Sequence, residues 1–154
     1  MLYVTSYDSP LGKLHIASDG EAICQVSFDS IDEEHIVCDN LAIFNRVKRW
    51  LDGYFRGLNP EIDFKLNPKG SKFRMKVWRT LFNIPYGETL TYGEIASMIS
   101  DNMAAQAVGG AVGANPIAII IPCHRVLGKN GKLTGYAAGL DRKIELLKIE
   151  NILK

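Results

Sequence analysis

The sequence has no long apolar run and little cysteine. Nowhere do about 18 apolar residues follow one another, as a membrane-spanning helix requires, and residues 1–6 lack the basic region and apolar stretch of a signal peptide. The three cysteines, Cys24, Cys38 and Cys123, have no repeating spacing, which argues against a disulfide framework and is typical of a reducing compartment. We therefore expect a soluble, cytoplasmic protein whose 154 residues, 47% of them hydrophobic, bury a core without disulfides.

An excess of charge of either sign is also missing, because the net charge is only +1. The charges are unevenly divided, however: residues 1–65 contain 6 Lys and Arg against 11 Asp and Glu, whereas residues 66–154 contain 12 against 6. This asymmetry indicates that the C-terminal half contacts a polyanion while the acidic half faces away. Ordinary fluctuation between two solvated surfaces is the alternative.

The first 65 residues have the pattern of a small sheet with a helix. Alternating apolar residues between turn signals predict a three-stranded antiparallel meander. Its strands are expected at residues 2–7, 13–18 and 22–28. Apolar residues at helical spacing then predict a helix over residues 41–55. Pro60, Pro68 and Gly70 mark residues 60–70 as a linker, so we predict one domain at 1–65 and a second at 71–154.

After the linker the pattern becomes helical. Ser71 is a suitable N-cap for a helix that ends near residue 82. A second helix begins after Thr91, where Glu94 completes a capping box, and a third covers residues 103–112. Two short helices joined by a tight turn, with a supporting helix before them, are typical of a helix-turn-helix.

The third helix is poorly equipped to read a DNA sequence. Gln106 is its only long polar side chain, and residues 104–114 carry three glycines, each of which destabilises a helix by about 1 kcal/mol relative to alanine. Small residues allow close approach of another surface. That surface is either a neighbouring helix or a nucleic-acid groove recognised by its shape.

Cys123 is the candidate nucleophile. It follows the apolar run at residues 117–121, which has the pattern of a buried strand, and it precedes His124 and Arg125. A thiol at the end of a strand, next to an imidazole and a guanidinium, is in surroundings that favour the thiolate. A buried, inert cysteine that packs as a small hydrophobe is the alternative.

Several short strings between residues 71 and 152 occur in a specific order. They are Tyr86-Gly87-Glu88-Thr89-Leu90-Thr91-Tyr92, Ala107-Val108-Gly109-Gly110-Ala111, Asn115-Pro116, Pro122-Cys123-His124-Arg125-Val126, Gly135-Tyr136-Ala137-Ala138-Gly139-Leu140 and Leu146-Leu147-Lys148-Ile149-Glu150. In this order and spacing they resemble the O6-alkylguanine-DNA alkyltransferases, the methylated-DNA:protein-cysteine methyltransferase family. The strand-rich N-terminal part fits the less distinctive N-terminal domain of that family.

The resemblance implies a fold and an activity. The fold is α+β, with an N-terminal domain of an antiparallel sheet and a helix, and a helical C-terminal domain of helix-turn-helix, winged-helix-like type that carries the active cysteine. The activity is direct-reversal DNA repair: an alkyl group passes irreversibly from O6-alkylguanine to the thiolate, once per protein and without a cofactor. The guanine is flipped out of double-stranded DNA, which a monomer binds through the minor groove regardless of sequence.

The resemblance also assigns roles to residues. Cys123 is the alkyl acceptor, His124 is its base through a water, and Glu150 orients His124. Asn115 holds the turn that carries the cysteine. Arg125 is interpreted as a buried structural residue that bridges the two domains, and a contact with a base is the alternative. The residues expected at the substrate are Tyr92, Val126, Tyr136 and Ala137. Those expected at the DNA are Gln106, Arg74, Ala105, Gly109 and Lys129.

One residue departs from the family pattern. Where most members have an arginine that fills the gap left by the flipped guanine, this chain has Gln106. Glutamine still inserts or bonds to the orphan cytosine but lacks the charge and the stacking plane. We therefore expect weaker DNA affinity or slower repair than with arginine.

Some of these residues also fit two other function classes or a metal site. A cysteine hydrolase would use the same Cys123, His124 and Glu150 but would need an oxyanion hole. A binding module without repair activity, as in alkyltransferase-like proteins, would lack the acceptor cysteine that this chain has. Cys24, His35 and Cys38 match no compact zinc spacing, so no metal is expected.

Overall fold

The computed structural model describes all 154 residues, which divide into two compact units, Met1–Lys69 and Gly70–Lys154. None of its helices combines the length and apolar character needed to cross a membrane. The N-terminal unit contains a five-stranded sheet and one long helix. The C-terminal unit contains four helices, a two-stranded sheet and two short 3-10 helices.

The sheet of the N-terminal unit has the strand order β4-β1-β2-β3-β5. Its strands are β1 (Leu2–Ser9), β2 (Gly12–Ser18), β3 (Ala22–Ser27), β4 (His35–Val37) and β5 (Lys65–Leu66). The first three form the predicted antiparallel meander, and the two short outer strands add to it in parallel. Helix α1 (Ala42–Phe55) buries Phe44, Val47 and Leu51 completely, as its helical spacing predicts.

The predicted linker is partly sheet. Ala22 and Ile23 of β3 pair with β5, and the backbone N–H of Asn67 donates to the Ile23 carbonyl at 2.8 Å. A strand of two residues is too short to show an alternation of apolar and polar residues. The prolines on either side of it therefore predict a linker when the sequence is read alone. The two compact units accordingly divide after Lys69.

Capping fixes the helices of the C-terminal unit. Helix α2 (Lys72–Phe82) begins where the Ser71 hydroxyl accepts from the Arg74 N–H at 3.2 Å. Strand β6 (Leu90–Thr91) leads into helix α3 (Tyr92–Ile99), whose Thr91 and Glu94 form the predicted capping box.

Helix α4 (Ala105–Gly113) starts two residues later than predicted and follows α3 in the helix-turn-helix arrangement. The indole N–H of Trp78 in α2 donates to the Ala111 carbonyl at 2.8 Å, which ties the supporting helix to α4. After α4 come a 3-10 helix (Cys123–Arg125), strand β7 (Val126–Leu127), a second 3-10 helix (Lys129–Gly131) and helix α5 (Leu140–Ile149). Strand β7 pairs with β6 in parallel.

The prediction of a buried strand at residues 117–121 is wrong. The segment folds into successive tight turns, in which the Ile120 N–H donates to the Ala118 carbonyl at 2.8 Å and Ile119 adopts a left-handed φ of 71°. The four isoleucines of the run are buried, and a short apolar run does not distinguish a strand from a buried turn.

Candidate active site

The Cys123 thiol lies directly after these turns, at the start of a 3-10 helix, and Cys123 is only 7% exposed. Asn115 fixes the turns from inside. Its Nδ2 donates to the carbonyls of Ile121 at 2.8 Å and Ile117 at 3.3 Å, and its Oδ1 accepts from the Ile117 N–H at 3.0 Å. These side-chain hydrogen bonds replace those of a strand ladder and set the position of the thiol.

Glu150 is the centre of a buried polar network next to the thiol. The His124 Nε2 and Glu150 Oε2 atoms are 2.6 Å apart, and both side chains are fully buried. Arg125 Nε donates to Glu150 Oε1 at 2.7 Å, and the Gly87 N–H donates to the same oxygen at 3.0 Å. Arg125 also donates to the Ile84 carbonyl at 2.7 Å, so its partners lie within the C-terminal unit.

The protonation states in this network follow from its contacts. Burial alone would raise the pKa of Glu150, but hydrogen bonds from His124, Arg125 and the Gly87 N–H hold that pKa at about 2. Burial lowers the pKa of His124, although Glu150 acts in the opposite direction. At neutral pH Glu150 is therefore a carboxylate and His124 a neutral imidazole, able to accept a proton.

Burial acts against the thiolate that the sequence context favours. It raises the pKa of Cys123, and Asn115, Tyr136 and Lys143 oppose this effect only in part. The Tyr136 hydroxyl is buried beside the thiol, and burial followed by the charge of Cys123 raises the pKa of Tyr136. A base beside the thiol is therefore needed to generate the thiolate.

Two of the four predicted substrate residues, Val126 and Tyr136, interact directly with Cys123. Pairing of β6 with β7 sets Leu90 opposite Val126, and Tyr92 follows β6 directly. The Tyr92 hydroxyl lies 3.5 Å from the Thr134 hydroxyl, two residues before Tyr136. Ala137 is exposed in the same loop, and no hydrogen bond ties it to Cys123.

The predicted DNA-binding residues divide into two groups. Ala105, Gln106 and Gly109 lie together on α4, where Ala105 and Gln106 are exposed. Arg74 on α2 and Lys129 in the second 3-10 helix are also exposed, but no hydrogen bond links either to α4.

The glycines of α4 differ in what surrounds them. A Cβ at Gly109 would lie 3.9 Å from the Tyr92 ring, in ordinary contact. At Gly110 and Gly113 a Cβ would meet nothing within 4 Å. Packing against a neighbouring helix therefore does not explain these two glycines.

Lys143 was missed by the sequence reasoning, although the sequence carries a signal for it. Its side chain is fully buried in α5, and its Nζ donates to the Val126 carbonyl at 2.6 Å. Lys143, Leu146, Leu147 and Glu150 have the spacing of one helix face, and all four are buried. A lysine on an apolar face was the signal.

The residues considered for zinc are not gathered into a site. Cys24 is on β3 and His35 on β4, with β1 and β2 between those strands. The Cys38 thiol donates to the side chain of Asn40. No three His, Cys, Asp or Glu residues of the chain form a group that could hold a metal ion.

Known proteins resemble both units. Residues 72–152 match the family model described as 6-O-methylguanine DNA methyltransferase, DNA binding domain. Residues 2–68 match the one described as 6-O-methylguanine DNA methyltransferase, ribonuclease-like domain. A methylated-DNA–protein-cysteine methyltransferase of Methanosarcina acetivorans is 47% identical over 153 residues, which cover 97% of this chain and 98% of the relative. One from Haemophilus influenzae is 44% identical over 156 residues, covering 98% and 87%.

Solved structures resemble the whole chain. An O6-methylguanine methyltransferase of Mycobacterium tuberculosis matches with a TM-score of 0.88 at 42% identity, covering 97% of this chain and 93% of that one. The OGT protein of the same organism in complex with DNA matches with a TM-score of 0.89 at 42% identity, covering 96% and 92%. An O6-methylguanine DNA methyltransferase of Methanococcus jannaschii matches at 0.71 and 26% identity, covering 97% and 95%. The predicted α+β fold is confirmed.

Proposed function

The chain belongs to the 6-O-methylguanine DNA methyltransferase family, and we infer that Cys123 is the residue that accepts the alkyl group from O6-alkylguanine in duplex DNA. Its activity is that of a methylated-DNA–protein-cysteine methyltransferase, which repairs DNA by transferring the alkyl group to cysteine. One observation carries the assignment to Cys123: the buried Glu150–His124 pair stands next to this thiol, inside the DNA-binding domain. Cys24 and Cys38 lie outside that domain.

The protein's own side chains account for every proton and bond that changes in the alkyl transfer. Because His124 Nε2 faces Glu150, Nδ1 takes the thiol proton, through a water since neighbouring side chains point apart. The sulfur attacks the alkyl carbon, the C–S bond forms, and the C–O6 bond breaks with its electron pair on guanine. Guanine takes up one proton from the Tyr92 hydroxyl, which solvent replaces. The products are intact guanine and a neutral thioether, which an ordinary base does not cleave, so each protein acts once.

The residues around the thiol hold the guanine. Backbone groups of Cys123 and Val126 hydrogen-bond its edge, Tyr136 stacks on its face, and Ala137 lines the side of the alkyl group. Tyr92 also crowds the phosphate of the target nucleotide and so favours extrusion of the base. A Cys123 that is only 7% exposed supports this view, since a guanine stacked in a duplex cannot reach it.

Helix α4 binds the minor groove without reading its sequence, and the target nucleotide flips out of the stack. Flipping requires a few kcal/mol, which close backbone contact along α4 helps to supply. The outward glycines support this proposal, because nothing within the chain requires them. One copy binds the DNA and acts alone. A reducing cytoplasm suits the three free cysteines.

Gly110→Ala is expected to stabilise the protein and weaken its DNA binding. A helix gains up to about 1 kcal/mol when alanine replaces glycine, and the new methyl group meets nothing within the chain. The same methyl group keeps α4 away from the groove. Thermal unfolding and affinity for a methylated duplex measure both effects. Asn45→Ala, at an exposed position of α1, is the matched control and should stabilise without changing the affinity. Unchanged affinity of Gly110→Ala would count against the minor-groove proposal.

Gln106→Arg is expected to increase DNA affinity and to speed repair. The exposed Gln106 lies in the first turn of α4, where an arginine adds a charge for the phosphates and a plane that stacks on bases. Single-turnover repair rates of the two proteins on one methylated duplex make the comparison. Equal repair rates and equal DNA affinities would show that the Gln106 amide supports DNA binding and repair as well as an arginine does.

A stoichiometric repair assay tests the proposed function. A duplex with one O6-methylguanine is mixed with less protein than DNA, and the restored guanine is counted over time. We expect restoration to stop when it equals the amount of protein. Continued turnover, or no restoration by folded protein, would contradict the proposal.

A further inference from the structure

Lys143 is a lysine whose side chain is fully buried and which forms no salt bridge. The ion pairs of the chain join other residues: His124 with Glu150, Arg125 with Glu150, and Lys148 with Glu145. The Lys143 Nζ instead donates to two backbone carbonyls, of Val126 at 2.6 Å and of Thr134 at 3.4 Å. A buried ammonium is costly unless an anion or several acceptors compensate it.

The two carbonyls belong to the two chain segments that flank the thiol. Val126 is three residues after Cys123, and Thr134 is two residues before Tyr136. Lys143 therefore links two parts of the proposed substrate site through its hydrogen bonds. One is the segment expected at the edge of the guanine, and the other is the loop expected at the face of the guanine ring. Its position in α5 is fixed by the buried Leu146 and Leu147 on the same helix face.

The ammonium is also electrostatically coupled to the thiol. Lys143 acts to lower the pKa of Cys123, and the thiolate acts to raise the pKa of Lys143, while burial opposes both charges. The other titratable group that interacts with the thiol is Tyr136. His124 and Arg125 are paired with Glu150. Cys123 is the one charged group that acts on the pKa of Lys143, and Lys143 also acts to lower the pKa of His124.

We propose that Lys143 is a positioning residue for alkyl transfer, which holds the Val126 and Thr134 carbonyls in place and stabilises the Cys123 thiolate. This role rests on the proposed function. It differs from that of a purely structural lysine, which would hold the loop but leave the ionisation of the thiol unchanged.

The first test needs no DNA. The rate at which iodoacetamide modifies Cys123, followed on the Cys123 peptide, is measured against pH for wild type and Lys143→Met. We expect the midpoint of the profile to rise by about one pH unit in Lys143→Met, which means about tenfold slower modification below the midpoint. Lys148→Met is the matched control, because Lys148 is exposed on the same helix, and its profile should overlay that of wild type. An unchanged midpoint in Lys143→Met would overturn the proposal.

A second measurement keeps the proposal testable if Lys143→Met does not fold. The side-chain pKa of Lys143 is determined by NMR in wild type and in Cys123→Ser, which removes the thiolate but little volume. We expect a lower Lys143 pKa in Cys123→Ser, because the serine hydroxyl is neutral. The same pKa in both proteins would overturn the proposal.

Repair assays on the same proteins separate this inference from the proposed function. In the first outcome, wild type repairs methylated DNA and Lys143→Met repairs it about tenfold more slowly at neutral pH, with partial recovery at higher pH. This outcome supports both the proposed function and the role of Lys143. If wild type does not repair DNA but the iodoacetamide midpoint still depends on Lys143, the proposed function fails and the coupling of Lys143 to the thiol is supported. If wild type repairs DNA and neither measurement depends on Lys143, this inference alone fails.

Discussion

Replacing Glu150 with glutamine is expected to slow repair about 100-fold and to lower the free energy of unfolding by about 3 kcal/mol. The carboxylate accepts hydrogen bonds from His124, Arg125 and the Gly87 N–H. A glutamine amide offers one oxygen and turns an NH2 group towards one of these donors. Arg125 then loses its buried counter-ion, and His124 loses the anion that stabilises its protonated form. Single-turnover repair rates and chemical denaturation measure the two effects.

Glu145→Gln provides the matched control for this change. Glu145 is on the same helix, but its side chain is 52% exposed and pairs only with Lys148 at 3.7 Å. An exposed pair of this kind contributes less than about 1 kcal/mol, so repair and stability should both stay near wild type. A Glu150→Gln protein as active and as stable as the Glu145→Gln protein would contradict the role given to the network.

Replacing Asn115 with alanine is expected to slow repair about 100-fold and to lower the free energy of unfolding by about 2 to 4 kcal/mol. Its side chain makes three hydrogen bonds that hold the turns before the thiol. Without the Asn115 side chain, the carbonyl of the buried Ile121 loses a hydrogen-bond donor. The thiol shifts with the turns, and a displacement of about 1 Å is enough for a loss of this size. Repair rates and denaturation curves measure the change.

Two further variants of asparagine residues sharpen this test. Asn83→Ala removes an exposed asparagine at the end of α2, whose side chain forms no hydrogen bond within the chain, and should change neither quantity. Asn115→Asp keeps the acceptor for the Ile117 N–H, loses the two donations and adds a negative charge near the sulfur. It should raise the pKa of Cys123 further, which a shifted pH profile of iodoacetamide modification would detect. Normal repair by Asn115→Ala would contradict the proposal that Asn115 positions the Cys123 thiol.

The helix starts were predictable because their causes are local. Ser71 caps α2 through an N–H three residues away, and Thr91 and Glu94 cap α3 in the same way. Such pairs act within one turn of the chain, so the sequence contains all that is needed. The meander followed for the same reason, since its turns and alternation are local.

The turns before the thiol were not predictable from their own residues. Residues 117–121 are uniformly apolar, and their conformation depends on hydrogen bonds from the side chain of Asn115. The outer strands β4 and β5 are two or three residues long, and their pairing depends on strands distant in sequence. In both cases tertiary contacts override a local pattern that is too short.

The candidate site also has features that the sequence predicts and features that depend on tertiary packing. The resemblance placed Cys123, His124, Glu150 and Asn115 in one site, and the structure brings them together. The direction in which burial shifts the pKa of Cys123 depends on the packed surroundings, so it could not be derived from neighbours in sequence. Lys143 could have been found, because a lysine in the apolar stripe of a helix is visible in the spacing alone.

The mass of the protein after contact with damaged DNA tests the central claim most directly. Wild type and Cys123→Ser are each incubated with a duplex that contains O6-methylguanine, then weighed intact and after digestion. We predict that wild type gains one methyl group in place of a hydrogen, located on the peptide with Cys123, and that Cys123→Ser gains nothing. A folded wild type of unchanged mass, or a methyl group on Cys24 or Cys38, would contradict the account.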